Sequence, residues 1–260
     1  MATTDIGWLG LGASTLLLFV AVGVSSWRGL GLERSILWAS LRAGAQLLAV
    51  GVALVLILDP GRPVALALAW VGAMVVFAAV TVRNRAPEVP GAFVIALGAQ
   101  GAVAAVSLAV IFGLGIFPFE ARAIVPLGGM MIGNSMTSTV VAARRVVGEL
   151  RDKRAEVEAR LALGHTWAMA SRPYVREALR TAMIPQIEST KSVGLVFLPG
   201  AMTGLILAGV DPAKAVLVQL AIMYLILGSV ATSVTVVGVA LTRRLFTPDH
   251  RLVVLDRPGH

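Results

Sequence analysis

Cysteine is absent from the 260 residues, which removes disulfides, thiolate metal ligands and a cysteine nucleophile together. Charge is scarce: Asp, Glu, Lys and Arg make up 14%, against roughly 25% in ordinary soluble domains. Histidine is nearly missing, and His165, His250 and His260 all fall outside the long apolar runs. No nucleophile–base constellation suggests catalysis, and no G-x-x-x-x-G-K-[ST] phosphate loop occurs, so the chain does not hydrolyse ATP in the usual way. A basic leader is also missing, with only Asp5 before Ile6. The first apolar run is therefore expected to be retained as a span and not cleaved as a signal peptide.

Apolar residues fill the gap. They form 57% of the chain, and mean hydropathy is +0.86, too high for a soluble domain of this size. A helix needs about 20 apolar residues to cross a bilayer. Seven runs qualify: Ile6 to Ser26, Ile36 to Leu58, Val64 to Val82, Gly91 to Ile116, Ile124 to Ala143, about Ser189 to Gly209, and Ala213 to Leu241. Their apolar character is continuous instead of alternating, which excludes a closed barrel. The expected fold class is all-α: a polytopic membrane protein of about seven transmembrane helices, forming a single transmembrane domain over residues 1–260.

The net charge of +8 does not mark a nucleic-acid binder, because the basic residues alternate with spans and form no single soluble face. With seven spans, seventeen Lys and Arg fall in one set of loops and tails against three (Arg62, Arg122 and Lys214) in the other. The positive-inside rule then predicts the N-terminus outside and the C-terminus in the cytoplasm. The one long loop, residues 144–185, lies on the cytoplasmic side between spans five and six. Val146, Leu150, Val157 and Leu161 recur at helical spacing, and Glu149/Lys153 and Glu156/Arg160 are i,i+4 pairs. A break at Gly164 and Arg172-Pro173 is expected to start a second short helix that ends near Pro185.

Polar residues inside spans are costly in lipid and tend to face a bundle interior or a pathway. Arg42 and Gln46 share one face of the second span by their spacing, although Arg42 can also snorkel to the surface. Glu188 and Lys191, three apart, read either as an interfacial salt bridge or as a pathway pair. Asn134, flanked by Gly133 with Met130, Met131 and Met136, is the preferred pathway segment, and Met202 is a further candidate. Gly129-x-x-x-Gly133 and Gly200-x-x-x-Gly204 permit close helix contact. Gln100 and Gln219 are expected to hydrogen-bond to neighbouring helices. Thioethers suit soft Cu(I), but nine methionines in a membrane protein serve mainly in packing. No metal site is visible in the sequence.

In the long loop, Glu158-Ala159-Arg160-Leu161-Ala162-Leu163-Gly164, followed by His165 and Thr166, resembles the E-A-x-x-x-x-G coupling loop of ABC-transporter permeases. An amphipathic helix lying on the membrane surface would look similar. The run Ile124-Val125-Pro126-Leu127-Gly128-Gly129-Met130-Met131-Ile132-Gly133-Asn134-Ser135-Met136, with Lys191, Leu198-Pro199-Gly200 and Met202-Thr203-Gly204, resembles the FetB-type ABC permeases. That family comprises membrane subunits of a bacterial iron exporter and has relatives in plant aluminium tolerance. The chain departs from it at Phe197, where serine is usual, and at Ala201, where methionine is usual. The resemblance implies a permease in the cell inner (plasma) membrane that exports iron or another metal or small solute. It implies two permease copies docked through Glu158, Ala159, Leu163, Gly164, His165 and Thr166 on ATP-binding subunits. ATP and Mg2+ would then be held by that partner, with no cofactor bound by this chain. The rival readings are an ion-coupled secondary transporter that relays charge through Arg42 or Glu188/Lys191, and a non-transporting scaffold.

Overall fold

In a computed structural model, residues 8–59, 61–247, 249 and 251–253 are described. The start of the first expected span at Ile6 lies outside them, as do His250 and His260. Among the described residues there are nine helices and no strand beyond two isolated bridges. The helices are α1 (Trp8–Trp27), α2 (Glu33–Ile57), α3 (Val64–Arg85), α4 (Ala92–Gly113), α5 (Ala121–Asp152), α6 (Arg154–Ala162), α7 (Trp167–Ser192), α8 (Gly200–Leu207) and α9 (Pro212–Arg244). Five of them (α2, α3, α4, α5 and α9) are long and apolar enough to cross a bilayer, and α1 adds a shorter apolar stretch, Thr15–Trp27. The protein is an all-α membrane protein.

Two compact units divide the chain, Met1–Arg62 and Pro63–His260. The first is a helical hairpin. Gly29 and Gly31, at φ +64° and +66°, take the left-handed conformations its turn needs. Ser25 closes the turn, donating to Glu33 at 2.7 Å and accepting the Leu32 amide at 3.2 Å.

In the second unit α5 is the central helix, packed by α3, α4, α7 and α9. Its inner face carries Ile124, Met131, Val146 and Leu150, all fully buried. Gly128 gives α3 its closest approach, since a Cβ there would meet Val71 Cγ2 at 3.0 Å. Of the expected small-residue motif, Gly129 meets Met74 whereas Gly133 has open space beside it; Gly200 and Gly204 are open as well. A buried polar ladder joins α4, α5 and α9. Gln100 donates to Thr139 at 2.9 Å and accepts from Ser135 at 2.9 Å, Thr139 bonds Ser233, and Ser107 pairs with Ser229 at 2.8 Å. With every polar side chain partnered, this ladder can stay dry. Gln100 thus bonds to a neighbouring helix, as expected.

Two segments differ from expectation. The run from Ser189 to Gly209 is not one helix: α7 ends at Ser192, residues 193–199 are irregular, and the eight-residue α8 follows. Gly194 turns the chain at φ +88° and donates to the Phe197 carbonyl at 2.9 Å, and Pro199 is the extended N-cap residue of α8. Hydropathy cannot see this break, because Val193, Leu195, Val196, Phe197 and Leu198 are as apolar as a span requires. The other difference is in α7, which begins at Trp167 and runs to Ser192 with Pro173 and Pro185 inside it. The second helix therefore neither starts at Pro173 nor stops at Pro185. Pro173 is the seventh residue of α7 and removes one intrahelical bond there, and packing of Ala178 and Ala182 carries the helix onward.

Candidate functional site

The residues of the long loop extend α5 and form α6, a turn and the start of α7. α5 spans 32 residues, about 48 Å at 1.5 Å per residue, so it outruns a hydrocarbon core of about 30 Å. A kink at Lys153 turns the chain into α6, whose Val157 is fully buried while Leu161 packs on the core. Tyr174 of α7 donates to Glu156 Oε2 at 2.9 Å, and the Arg160 guanidinium lies 5.7 Å from the Tyr174 ring centre. Arg154 pairs with Glu158 at 2.6 Å and also reaches the Leu252 carbonyl at 3.4 Å. Trp167 stacks on Phe246 at 6.1 Å. α6 is thereby fastened to α7 and to the C-terminal segment.

Charge reinforces the fastening. The hydrogen bonds from Lys153 first, and then from Tyr174, hold the Glu156 carboxyl below the usual glutamate value, and Glu156 in turn holds the Lys153 ammonium above its usual value.

Gly164, at φ +87°, reverses the chain between α6 and α7, and the Thr166 hydroxyl caps α7 by accepting the Met169 amide at 3.4 Å. Ala159, Gly164, His165 and Thr166 are exposed on this turn, and Leu163 and Met169 stand out at 78% and 57% exposure. The Glu158 carboxyl is half-exposed beside Arg154. The six residues expected to couple therefore run from the second half of α6 through the turn into the cap of α7.

The expected pathway residues do not all come together. Asn134 is exposed on α5 and donates to its own helix at Met130 O, 2.8 Å away; Met130 is half-buried. Met136 packs instead against Val82 and Ala96 of α3 and α4. Glu188 and Lys191 pair at 2.8 Å at the exposed end of α7. Met202 is in the first turn of α8, where Gln219 of α9 accepts its amide at 3.3 Å. Arg42 and Gln46 share the exposed surface of α2, in the first unit.

Sequence reasoning missed the break itself. Leu195 is 94% exposed and Val196 80%, and Phe197, one of the two departures from the resembled family, is in the same segment. Ala201, the other departure, is in the first turn of α8 and packs on the core. Irregular backbone at membrane depth persists only where protein covers it or a water-filled cavity adjoins it. The spacing of Gly194 and Pro199 was the available signal. Among the described residues no group of three or more His, Asp or Glu gathers as a metal site.

Long apolar helices define a polytopic helical membrane protein. The chain belongs to the uncharacterised protein family UPF0014, whose model matches residues 8–246. It is 38% identical over 228 residues to the UPF0014 membrane protein STAR2 of Oryza sativa subsp. japonica, covering 88% of this chain and 80% of that one. Identity to the UPF0014 membrane protein YjkA of Bacillus subtilis is 34%, covering 94% and 98% of the two chains. To the probable iron export permease protein FetB of Escherichia coli it is 33%, covering 94% of each. No solved structure matches.

Proposed function

We propose that this chain is the membrane-spanning permease subunit of an ABC transporter in the cell inner (plasma) membrane, with its C-terminus in the cytoplasm. It works as a homodimer driven by a separate ATP-binding subunit that holds ATP and Mg2+. The observation that carries this reading is mechanical. One unbroken helix, α7, runs from the exposed turn around Gly164 to the break at residues 193–199, about 39 Å for 26 residues. Force applied at the turn is delivered to the break.

In this mechanism, closure of the ATP-binding pair pushes Leu163 and Met169. The clasp between Glu156 and Tyr174 makes α6 follow α7, and α7 shifts residues 193–199 together with α8. Two-state repacking of a helix against its neighbours is the usual form of such a switch. Asn134, Met130, Met202, Glu188 and Lys191 are the pathway residues proposed in the second unit, and Arg42 and Gln46 those in the first. The name of the Escherichia coli relative supports a metal cargo, with iron first and export as the direction.

The test is co-purification with a candidate ABC ATP-binding subunit from the same organism, followed by ATP-dependent flux in vesicles. Stable association and iron-stimulated ATP hydrolysis, both lost in Leu163→Asp, are expected. Flux that persists without any ATP-binding partner would establish the ion-coupled alternative instead.

A further inference from the structure

The groove between α7 and α9 combines an apolar lining with arginines. It encloses about 450 Å³, and its floor is apolar, with Val175, Leu179 and Val239 along it. Its rim carries three guanidinium groups, Arg172, Arg176 and Arg243. Among the described residues none of these three has an ion-pair or hydrogen-bond partner, whereas Arg144, Arg151, Arg154, Lys153 and Lys191 all do. Two of the three hydroxyls that line the groove are already used: Ser171 donates to the Trp167 carbonyl at 2.8 Å and Thr242 to the Gly238 carbonyl at 2.6 Å, which leaves Thr235. The groove therefore offers three positive charges without an ion-pair partner and the Thr235 hydroxyl beside an apolar slot.

Its depth is also particular. Leu179 packs on Gly238, where a Cβ would come within 2.6 Å of Leu179 Cδ1, so the two helices close at the slot's inner end. Gly238 precedes Arg243 by five residues, about 7 Å along the helix. Leu241 ends the apolar run of α9, which puts Arg243 at the polar boundary of the bilayer. Arg243 also borders a second groove of about 340 Å³ on the other flank of α9, walled by Val94, Gly98, Val236 and Ala240.

We infer that this is a binding site for an anionic phospholipid, with the phosphate held by Arg172, Arg176 and Arg243 and an acyl chain lying in the apolar slot below. Charge complementarity selects the headgroup, and the slot selects a lipid over a soluble anion. Guanidinium is suited to phosphate because its planar fork donates to two oxygens at once. A basic pocket between helices at the cytoplasmic surface is a recognised form of lipid recognition. The leaflet is the cytoplasmic one under the orientation proposed above; the site itself rests only on α9 crossing the membrane. A lipid seated here would touch α7, the helix proposed to carry force, so anionic lipid content would tune the lever.

The experiment uses the full chain, purified in a mild non-ionic detergent and stripped of lipid. It is titrated with mixed micelles of phosphatidylglycerol or of phosphatidylcholine, and binding is read by native mass spectrometry and thermal unfolding. Phosphatidylglycerol is expected to bind at least about tenfold tighter. Each of R172Q, R176Q and R243Q should weaken it roughly fivefold, the usual worth of one basic residue at an anionic surface. Val239→Trp fills the slot without altering charge and should also weaken binding, which keeps the test intact if a combined arginine variant misfolds. Arg122→Gln, at the far end of α5, should change nothing. Equal binding of the two lipids, or an unchanged preference in the arginine variants, overturns the proposal. Inorganic phosphate reproducing the stabilisation overturns it in favour of a soluble anion. Loss of ATP-binding-subunit association in the arginine variants, with lipid retention intact, assigns the arginines to a protein interface instead. None of the lipid readouts needs the ATP-binding subunit, so their failure leaves the transport reading standing.

Discussion

Tyr174 of α7 donates its hydroxyl to Glu156 of α6 at 2.9 Å, across the turn reversed by Gly164. This bond ties α6 to α7, and Glu156 is also bonded to Lys153 at 2.9 Å, where α5 ends. Tyr174→Phe removes the hydroxyl and keeps the ring under Arg160. Amide exchange within α6 should accelerate severalfold while exchange in α4 and α9 stays unchanged. Uniform protection across the variant would show that packing of Val157 alone holds α6.

The same clasp sets a pH window. Glu156 is held below its ordinary pKa, so its contribution is complete above that value and is lost as pH falls through the lowered one. Lys153 is held above its ordinary pKa, so its contribution is complete below that value and is lost as pH rises through the raised one. Protection of α6 amides, corrected for intrinsic exchange, should therefore be flat from about pH 5 to about pH 10 and fall on the acid side. Glu156→Gln should abolish that acid limb.

The exposed knob separates binding from folding. Leu163 is 78% exposed, so Leu163→Asp should leave the thermal unfolding temperature in detergent within error. Affinity for the ATP-binding subunit should fall about tenfold or more if Leu163 is an interface anchor. An unchanged affinity in a pull-down titration removes the knob from the docking surface.

At the seam of α7 and α9, Gly238 leaves no room for a side chain beside Leu179. Gly238→Val should cost about 1–3 kcal/mol through overpacking, measured by unfolding in mixed micelles. Leu179→Ala on that background should recover most of the loss, since it vacates the space the new methyls need. Two independent, additive losses would place the strain elsewhere.

Gln100 tests whether a buried polar residue in a span must be a transport residue. Its partners Thr139 and Ser135 keep other bonds, to the Ser135 and Ile132 carbonyls. Gln100→Leu should therefore cost only about 0.6–2 kcal/mol, the range for interhelical bonds in membranes. Substrate preference should be unaltered; a changed preference would put the ladder in the pathway.

Much of this was legible beforehand, and unevenly so. The apolar runs located α1 to α5 and α9 because bilayer insertion is a local property summed over about 20 residues. The turn at Gly164 was legible because few residues adopt positive φ. The surroundings of the candidate pathway residues were not legible: Asn134 and Met136 are two positions apart in sequence, yet Met136 packs against α3 and α4 while Asn134 is exposed. A two-residue offset on a helix turns side chains by about 200°, and hydropathy does not report which side faces protein. The same blindness hid Gly128, where the small residue that matters is one position from the expected motif.

What the sequence determined by itself is the class of environment and the lever's outline: composition, charge segregation and glycine placement act locally and need no neighbours. The tertiary structure decided which surfaces are used. Gln100 became a staple, the sixth apolar run broke at residues 193–199, and Arg172, Arg176 and Arg243, up to 71 residues apart in the chain, converged on one groove. Such outcomes depend on how helices pack against one another, a long-range relation to which hydropathy and periodicity along a single chain are insensitive.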